Sequence, residues 1–436
     1  MTAATAAATA PASIHAKARE VTPATANAGL KALRSAALER VGALAVPTTH
    51  DEAWRFTSLA ALNRASLHAA ATPPALTLND IERWTIPEAT QRIVFVDGVH
   101  APQLGITAST DGVTITSLAQ ALASHPAAVM QHLGQHAQDP QQRFTAQNTA
   151  NLFDAAVVIA PRNTAASAPV HLLFVATQPD INSYARTLVI VEEGSAVTFI
   201  EDYVALTDGA YLTNSVTELS LGANAQVHHI RLQRESQRAF HIARCALTQA
   251  QDSQYHSVSI AFGAEISRLD STAQLRGTGV HCALDGLAHI AGQQVADTHT
   301  RIAHEQAHGV SRQLHKCIVA DTAHAVFNGR VQVHPSAQKT DSAQSSRTLL
   351  MGPKAQVNTL PQLEINADDV RCTHGATVGQ LDNEEVFYLQ SRGLSPEAAH
   401  SLLTYAFAAE VIARIPIPSV RQQLQGAVLK HRSAGL

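Results

Sequence analysis

A surplus of charge of one sign is missing from this sequence. Its 31 lysines and arginines nearly balance 35 aspartates and glutamates, leaving a net charge of −4. No basic run stands out, which argues against nucleic acid, whose readers carry a clustered positive footprint. Also missing is any apolar run near the roughly 18 residues of a membrane span. The start, MTAATAAATAPASIHAKAREVTPATANAG, has neither a positive opening nor an apolar core. It does not read as a secretory signal, and a flexible tail is expected over 1–27. Only four cysteines occur, Cys245, Cys282, Cys317 and Cys372, with no close spacing. They make no disulfide scaffold in a chain this long, and a reducing cytoplasm is expected. No G-x-x-x-x-G-K-[ST] occurs, so no ATPase is expected here. G-x-G-x-x-G after a strand and the G-x-S-x-G elbow are missing too.

What is present is a globular composition: 436 residues, 45% hydrophobic and 15% charged. That length suits two or three domains, or one repetitive domain with appendages. Residues 28–150 read as a helical, α+β region. Leu30, Leu33, Ala37, Val41 and Leu44 fall at helical spacing, and the short strand RIVFVDGV precedes the helix SLAQALASH. From 151 to 378 short β-rich runs recur. Their turn residues, Gly194, Gly222, Asp252, Gly277, Asp297, Asp321 and Gly352, are spaced by 20 to 31. Val197 and Phe199, or Val258, Ile260 and Phe262, alternate within the runs. Such a period, with strands and no intervening helices, predicts a parallel β-helix or solenoid. Its ends leave strand edges that need a cap or partner. Residues 379–436 turn helical: Asp382 followed by Glu385 opens one helix, Ser395-Pro396 another, and Pro416 and Pro418 stop it. The fold class is mainly β, a β-helix core between helical flanks. The C-terminal unit is too small to be stable alone.

Histidine is abundant, at 23 residues, most of them between His228 and His334. Half-exposed strand positions are the expectation for these. HEQAH, His304 to His308, matches the zinc-protease H-E-x-x-H, which requires a helix. On an extended strand its histidines are about 13 Å apart and cannot share one zinc at about 2.1 Å, so coincidence is expected. Cys372-x-His374 is different. It lies where the β region hands over to helices, beside Asp368 and Asp369, and thiolate with imidazole suits iron, zinc or sulfide clusters. Two ligands do not close a four-ligand site. A partner supplies the rest, or the pair only packs. A Cys–His nucleophile is a third option, without an identifiable orienting carboxylate.

The segment QLEINADDVRCTHGATVGQLDNEEVFYLQSRGL resembles the C-terminal signature of the SufB/SufD family, the scaffolds of SUF iron–sulfur cluster assembly. VFNGRVQVHPSAQKTDSAQSSRTLLMGPKAQVNTLPQLEI resembles the family core, and PTTHDEAWRFTSLAAL its N-terminal segment. The run Cys372-Thr-His374-Gly-Ala resembles the SufD branch; SufB-like chains tend to carry Glu-His-Glu-Ala there. The resemblance spans about 47–415. It departs at Ala155-Ala156, where a Gly is often seen, and at His315, where a Tyr is common.

The resemblance implies a right-handed parallel β-helix, a non-catalytic scaffold role, and a heterodimer with SufB through the last rungs. It also implies that the ATPase SufC binds the C-terminal helices. No cofactor would be held tightly by the isolated chain; iron or a nascent Fe–S cluster would be bound transiently in the complex. His374 is then expected as a metal ligand and Cys372 as an auxiliary thiol, shared with SufB. Leu403, Phe407 and Val411, with Glu410 and Arg414 beside them, are the expected SufC face; the competing reading makes the ridge internal core and Glu410–Arg414 an ordinary surface pair. A homodimer is expected when the chain is isolated. The rival classes are a β-helix enzyme of the polysaccharide lyase or acyltransferase type, whose secretion signal, carboxylate cluster or six-residue period is missing, and a self-contained metalloprotein.

Overall fold

Left-handed backbone recurs every 27 to 31 residues, at Asn163, Gly194, Asn224, Asp252, Gly279, His308 and Lys339. Glycine and Asn/Asp tolerate that conformation best, which is why they occupy five of these seven corners. Each corner's N–H bonds a carbonyl of the next: Asn163 to Glu193, Gly194 to Ala223, Asn224 to Gln251, and so on to Lys339 with Asp369. The computed structural model describes residues 27–430 except 71, 107–110, 138 and 140, so the tail expected over 1–27 lies almost wholly outside the described residues.

The corners join strands of about ten residues. In chain order the strands are β1 (His68–Ala69), β2 (Gln91–Val96), β3 (Val99–His100), β4 (Thr114–Ser117), β5 (Ala156–Ala160), β6 (Val170–Ala176), β7 (Ile181–Val191), β8 (Ala196–Ala205), β9 (Leu212–Leu221) and β10 (Gln226–Arg234). They continue as β11 (Phe240–Gln249), β12 (Gln254–Ala261), β13 (Ile266–Leu275), β14 (His281–Ile290), β15 (Val295–His304), β16 (Val310–Val319), β17 (His324–Val333), β18 (Asp341–Leu350), β19 (Gln356–Ile365) and β20 (Arg371–Gly379). The odd strands from β5 to β19 stack in parallel as one sheet, the even strands from β6 to β20 as the other. This is the expected β-solenoid. The N-terminal region also adds to it: β2 extends the even sheet beside β6, and β4 pairs antiparallel with β5.

Asp297 is a correction. It lies inside β15, not at a corner, and accepts from Thr57 (2.6 Å) and Arg268. Arg268 also caps Trp54 at 4.0 Å and donates to the Ala53 carbonyl. Thus DEAWRFT is a strap across the odd sheet. A short acidic residue looks the same in a turn and in a buried ion pair, and the true period is more regular without it.

The lumen is mostly apolar, built on Phe199, Tyr203, Leu219, Val227, Tyr255 and their neighbours. It also holds charge. Glu201 bonds His229 at 3.0 Å, whose other nitrogen meets the Tyr255 hydroxyl at 2.8 Å, and His241 pairs with Glu235. Pairing makes such burial tolerable. The histidine expectation is therefore only partly right. His256, His299 and His324 are half-exposed on strands as expected, but His228, His281, His308 and His334 are exposed, and His171, His229, His241, His289, His304 and His315 are buried.

The helices are α1 (Ala28–Ala43), α2 (Ala60–Arg64), α3 (Leu78–Ile81), α4 (Leu118–Ser124), α5 (Pro126–His132), α6 (Arg143–Ala150), α7 (Asn383–Ser391), α8 (Pro396–Ile412) and α9 (Pro418–Lys430). Asp382 caps α7 and Ser395 caps α8, as their side chains predict. The small C-terminal unit does dock, and it docks on its own solenoid. Val411, Ile412, Ile415, Val420 and Leu424 bury against Ile230, Val258, Leu287 and Leu314 on the outer face of the even sheet. Each large aliphatic side chain buried there contributes about 1.5–3 kcal/mol.

Candidate functional site: the open end of the solenoid

β19 and β20 are the last strands of their sheets, and each has one free edge. Main-chain groups of successive residues point to opposite sides of a strand, so parity decides what each edge offers. Gln356 donates to Ala323, the residue before β17, and Asn366 donates to Val333, the last residue of β17. Even-numbered residues of β19 therefore face β17, and odd ones face outward. Pro361 is odd. Its missing N–H interrupts the free edge and costs the ladder to β17 nothing, the usual place for proline in a sheet. In β20, Arg371 donates to Thr340. Here Cys372, His374, Ala376 and Val378 turn their main chains outward, an unbroken row of donors and acceptors. The even sheet has the pairing-competent edge.

The same residues share a side-chain face. Cys372 is in register with Ser342 and His374 with Gln344, both buried. Cys372 and His374 thus continue a lumen-facing column, but the stack stops with them. His374 is exposed and Cys372 half-buried. Cys372 packs against Val331, Val333, Ala337 and Ala367. Burial pushes its thiol up, and the Ser342 main chain pulls the other way. Beneath His374, both amide atoms of Gln344 are buried without a protein hydrogen-bond partner. Gln344 reaches across to Gly329, where any side chain would collide with its amide. Asp369 is tied to Lys339. Among the described residues, no three metal-ligating side chains gather. Thiol and imidazole suit a borderline or soft cation, but here they form an incomplete set at an open edge.

The other expected site residues lie elsewhere. Val411 is fully buried, and Leu403 and Phe407 are half-buried. Lys316 donates to the Phe407 carbonyl at 2.9 Å and pairs with Glu410 at 2.6 Å. Arg414 pairs with Asp285 at 2.6 Å. Glu410 and Arg414 therefore reach the solenoid instead of pairing along the helix. The reading missed the exposed side chains of this unit: Phe387 is 71% exposed, Tyr388 56% and Leu402 43%. Adjacent aromatics in a chain with only 4% aromatic residues were the available signal. HEQAH is non-helical. His304 ends β15, buried and bonded to Ser311 at 2.9 Å, and His308 is an exposed corner residue with φ 62°. Cys245, Cys282 and Cys317 are buried, and burial pushes the Cys245 and Cys317 thiols up to about 12. No described helix is long and apolar enough to cross a membrane.

Residues 174–407 match the family described as SUF system FeS cluster assembly, SufBD core domain, and 9–172 match the SufBD protein N-terminal region. The chain belongs to the SufBD family. It is 40% identical over 409 residues to an iron–sulfur cluster assembly SufBD family protein of Synechocystis, covering 91% of this chain and 89% of that protein. It is 34% identical to the iron–sulfur cluster assembly protein SufD of Escherichia coli (89% and 90% covered) and 26% identical to SufD of Bacillus subtilis (92% and 93%). The assignment within the SufBD family is SufD-type, and the role is in iron–sulfur cluster assembly.

Proposed function

We propose that this chain is a non-catalytic scaffold subunit of the SUF machine, working in the cytoplasm. It pairs with SufB through its open end and receives the ATPase SufC on its C-terminal helices. The observation that carries this reading is an incomplete Cys372/His374 set on a free, proline-free strand edge. An incoming strand would satisfy the β20 main chain and bring its own side chains over the lumen mouth. Iron or the nascent cluster is cargo here. His374 supplies an imidazole and Cys372, once deprotonated, an auxiliary thiolate, and SufB supplies the rest. In isolation the same edge favours a homodimer.

For SufC, the exposed Phe387, Tyr388 and Leu402 support docking on α7 and the start of α8. Leu403, Phe407, Glu410, Val411 and Arg414 fix the platform from which those helices project.

The test is iron and acid-labile sulfide in the anaerobically purified complex with SufB and SufC. His374→Ala is expected to lose the cluster while the complex stays assembled, and Cys372→Ala to lower its yield. A full cluster in both variants would refute ligation and leave the pair as interface packing.

A further inference from the structure

Two imidazoles meet nitrogen to nitrogen where the loop after α5 lies on the outer face of the odd sheet. His132 Nδ1 is 3.1 Å from His136 Nε2, with the rings 13° from parallel. The other nitrogen of His136, Nδ1, is 3.0 Å from Thr248 Oγ1 in β11. The loop itself is held firmly. The buried Glu218 carboxylate accepts the N–H groups of Gly134 (2.9 Å), His136 (2.9 Å) and Ala137 (3.3 Å), and it pairs with Arg186. His136 therefore has a fixed backbone and an anchored ring.

We propose that His132 and His136 form a two-nitrogen binding site for a divalent transition cation of the zinc or copper class, completed by water.

Three features carry it. With Nδ1–H given to Thr248, the Nε2 lone pair of His136 is directed at His132. A ligating histidine usually makes this arrangement, with its second nitrogen bonded to an oxygen that fixes tautomer and ring plane. The separation is also right. Two imidazole nitrogens bound at 2.0–2.1 Å in tetrahedral geometry are about 3.3 Å apart. Finally, both rings are half-buried at the surface, open to a cation.

In the metal-free chain the rings share one N–H···N hydrogen bond. Binding replaces it. The His132 proton moves from Nδ1 to Nε2, so no proton is lost overall, and His132, the last residue of α5, turns to admit the ion. Imidazole with water suits zinc, copper or nickel, and copper(II) binds most tightly of the divalent series. The site is independent of the solenoid's open end: β11 is four strands from β19, roughly 19 Å along the stack.

The test uses the full chain carrying Cys372→Ser, so that no accessible thiol reduces copper. Substoichiometric copper(II) is followed by electron paramagnetic resonance, then displaced by zinc. One ion with two-nitrogen coupling is expected. His132→Ala or His136→Ala is expected to weaken that ion at least tenfold, and Thr248→Val about tenfold, with far-UV circular dichroism unchanged. Superimposable copper titrations of the His132→Ala and parent proteins would overturn the proposal and leave the pair as a hydrogen bond that fastens the loop.

Discussion

Asp297, His304, His315 and Asp154 titrate far from their usual ranges, and each predicts a pH window. Desolvation pulls Asp297 up, but Arg268, His299 and Thr57 outweigh it and hold the carboxyl at about 2. A depressed carboxylate stabilises the fold above its unfolded value near 3.8 and loses that contribution as pH falls through about 2. The contribution is about 2 kcal/mol. His304 and His315 are lowered by burial from 6.5 to about 4. Unfolding lets them charge, so stability falls as pH drops from 6.5 toward 4, by up to about 3 kcal/mol for each. Asp154, raised by burial to about 6, opposes them, because its deprotonation above 3.8 costs the folded state. Two histidines against one carboxyl leave a net loss. Urea unfolding at pH 7 and pH 5 is expected to show lower stability at pH 5, and His304→Gln is expected to flatten the difference. A difference unchanged in that variant would contradict the assignment.

At the scale of elements, β20 and α7 are the two proposed partner faces, and three residues separate them. Ala376→Pro would place in β20 the device that Pro361 provides in β19. It removes an outward N–H and no β18 bond, so SufB co-purification is expected to fall while thermal stability changes little. Unchanged co-purification would move the pairing away from this edge. On α7, Phe387→Asp with Tyr388→Asp is expected to abolish SufC pull-down without destabilising the chain. Val411→Asp, by contrast, buries an unpaired charge and is expected to cost several kcal/mol; retained pull-down in the α7 variant would remove the docking face. These elements were legible in the sequence to different degrees. The corners at Gly194 and Asp252 announced themselves, because few residues accept a left-handed backbone. Cys372-x-His374 was legible as a pair because both residues carry chemistry. The strap partners Arg268 and Asp297 were not, since they meet across neighbouring coils and only the register brings them together. The α8 ridge showed that one face is apolar but not what covers it: the solenoid that Val411 packs against is far away in sequence.

At the scale of the molecule, the C-terminal unit is a third layer over the even sheet. Glu88 bonds Ser419 at 2.9 Å, Arg234 meets Gln423 at 2.9 Å, Lys316 and Arg347 hold Glu410 of α8, and Asp285 holds Arg414 just after it. Deleting 383–436 to test partner binding would therefore uncover Ile230, Val258, Leu287 and Leu314. The truncated chain is expected to bind 1-anilinonaphthalene-8-sulfonate and aggregate on warming, so substitution on α7 is the cleaner experiment. A truncated chain that stays monomeric and dye-free would show that the layer is dispensable.

The ladder of corner hydrogen bonds from Asn163 to Lys339 has a mechanical consequence. Two sheet ladders and a corner bond join each coil to the next, and no coil is spliced by a flexible linker. The stack is a stiff rod without an interior hinge. On the pairing proposed above, a push delivered to the C-terminal helices is expected to turn the stack as a whole about the end where Cys372 and His374 lie, rather than to be absorbed along it.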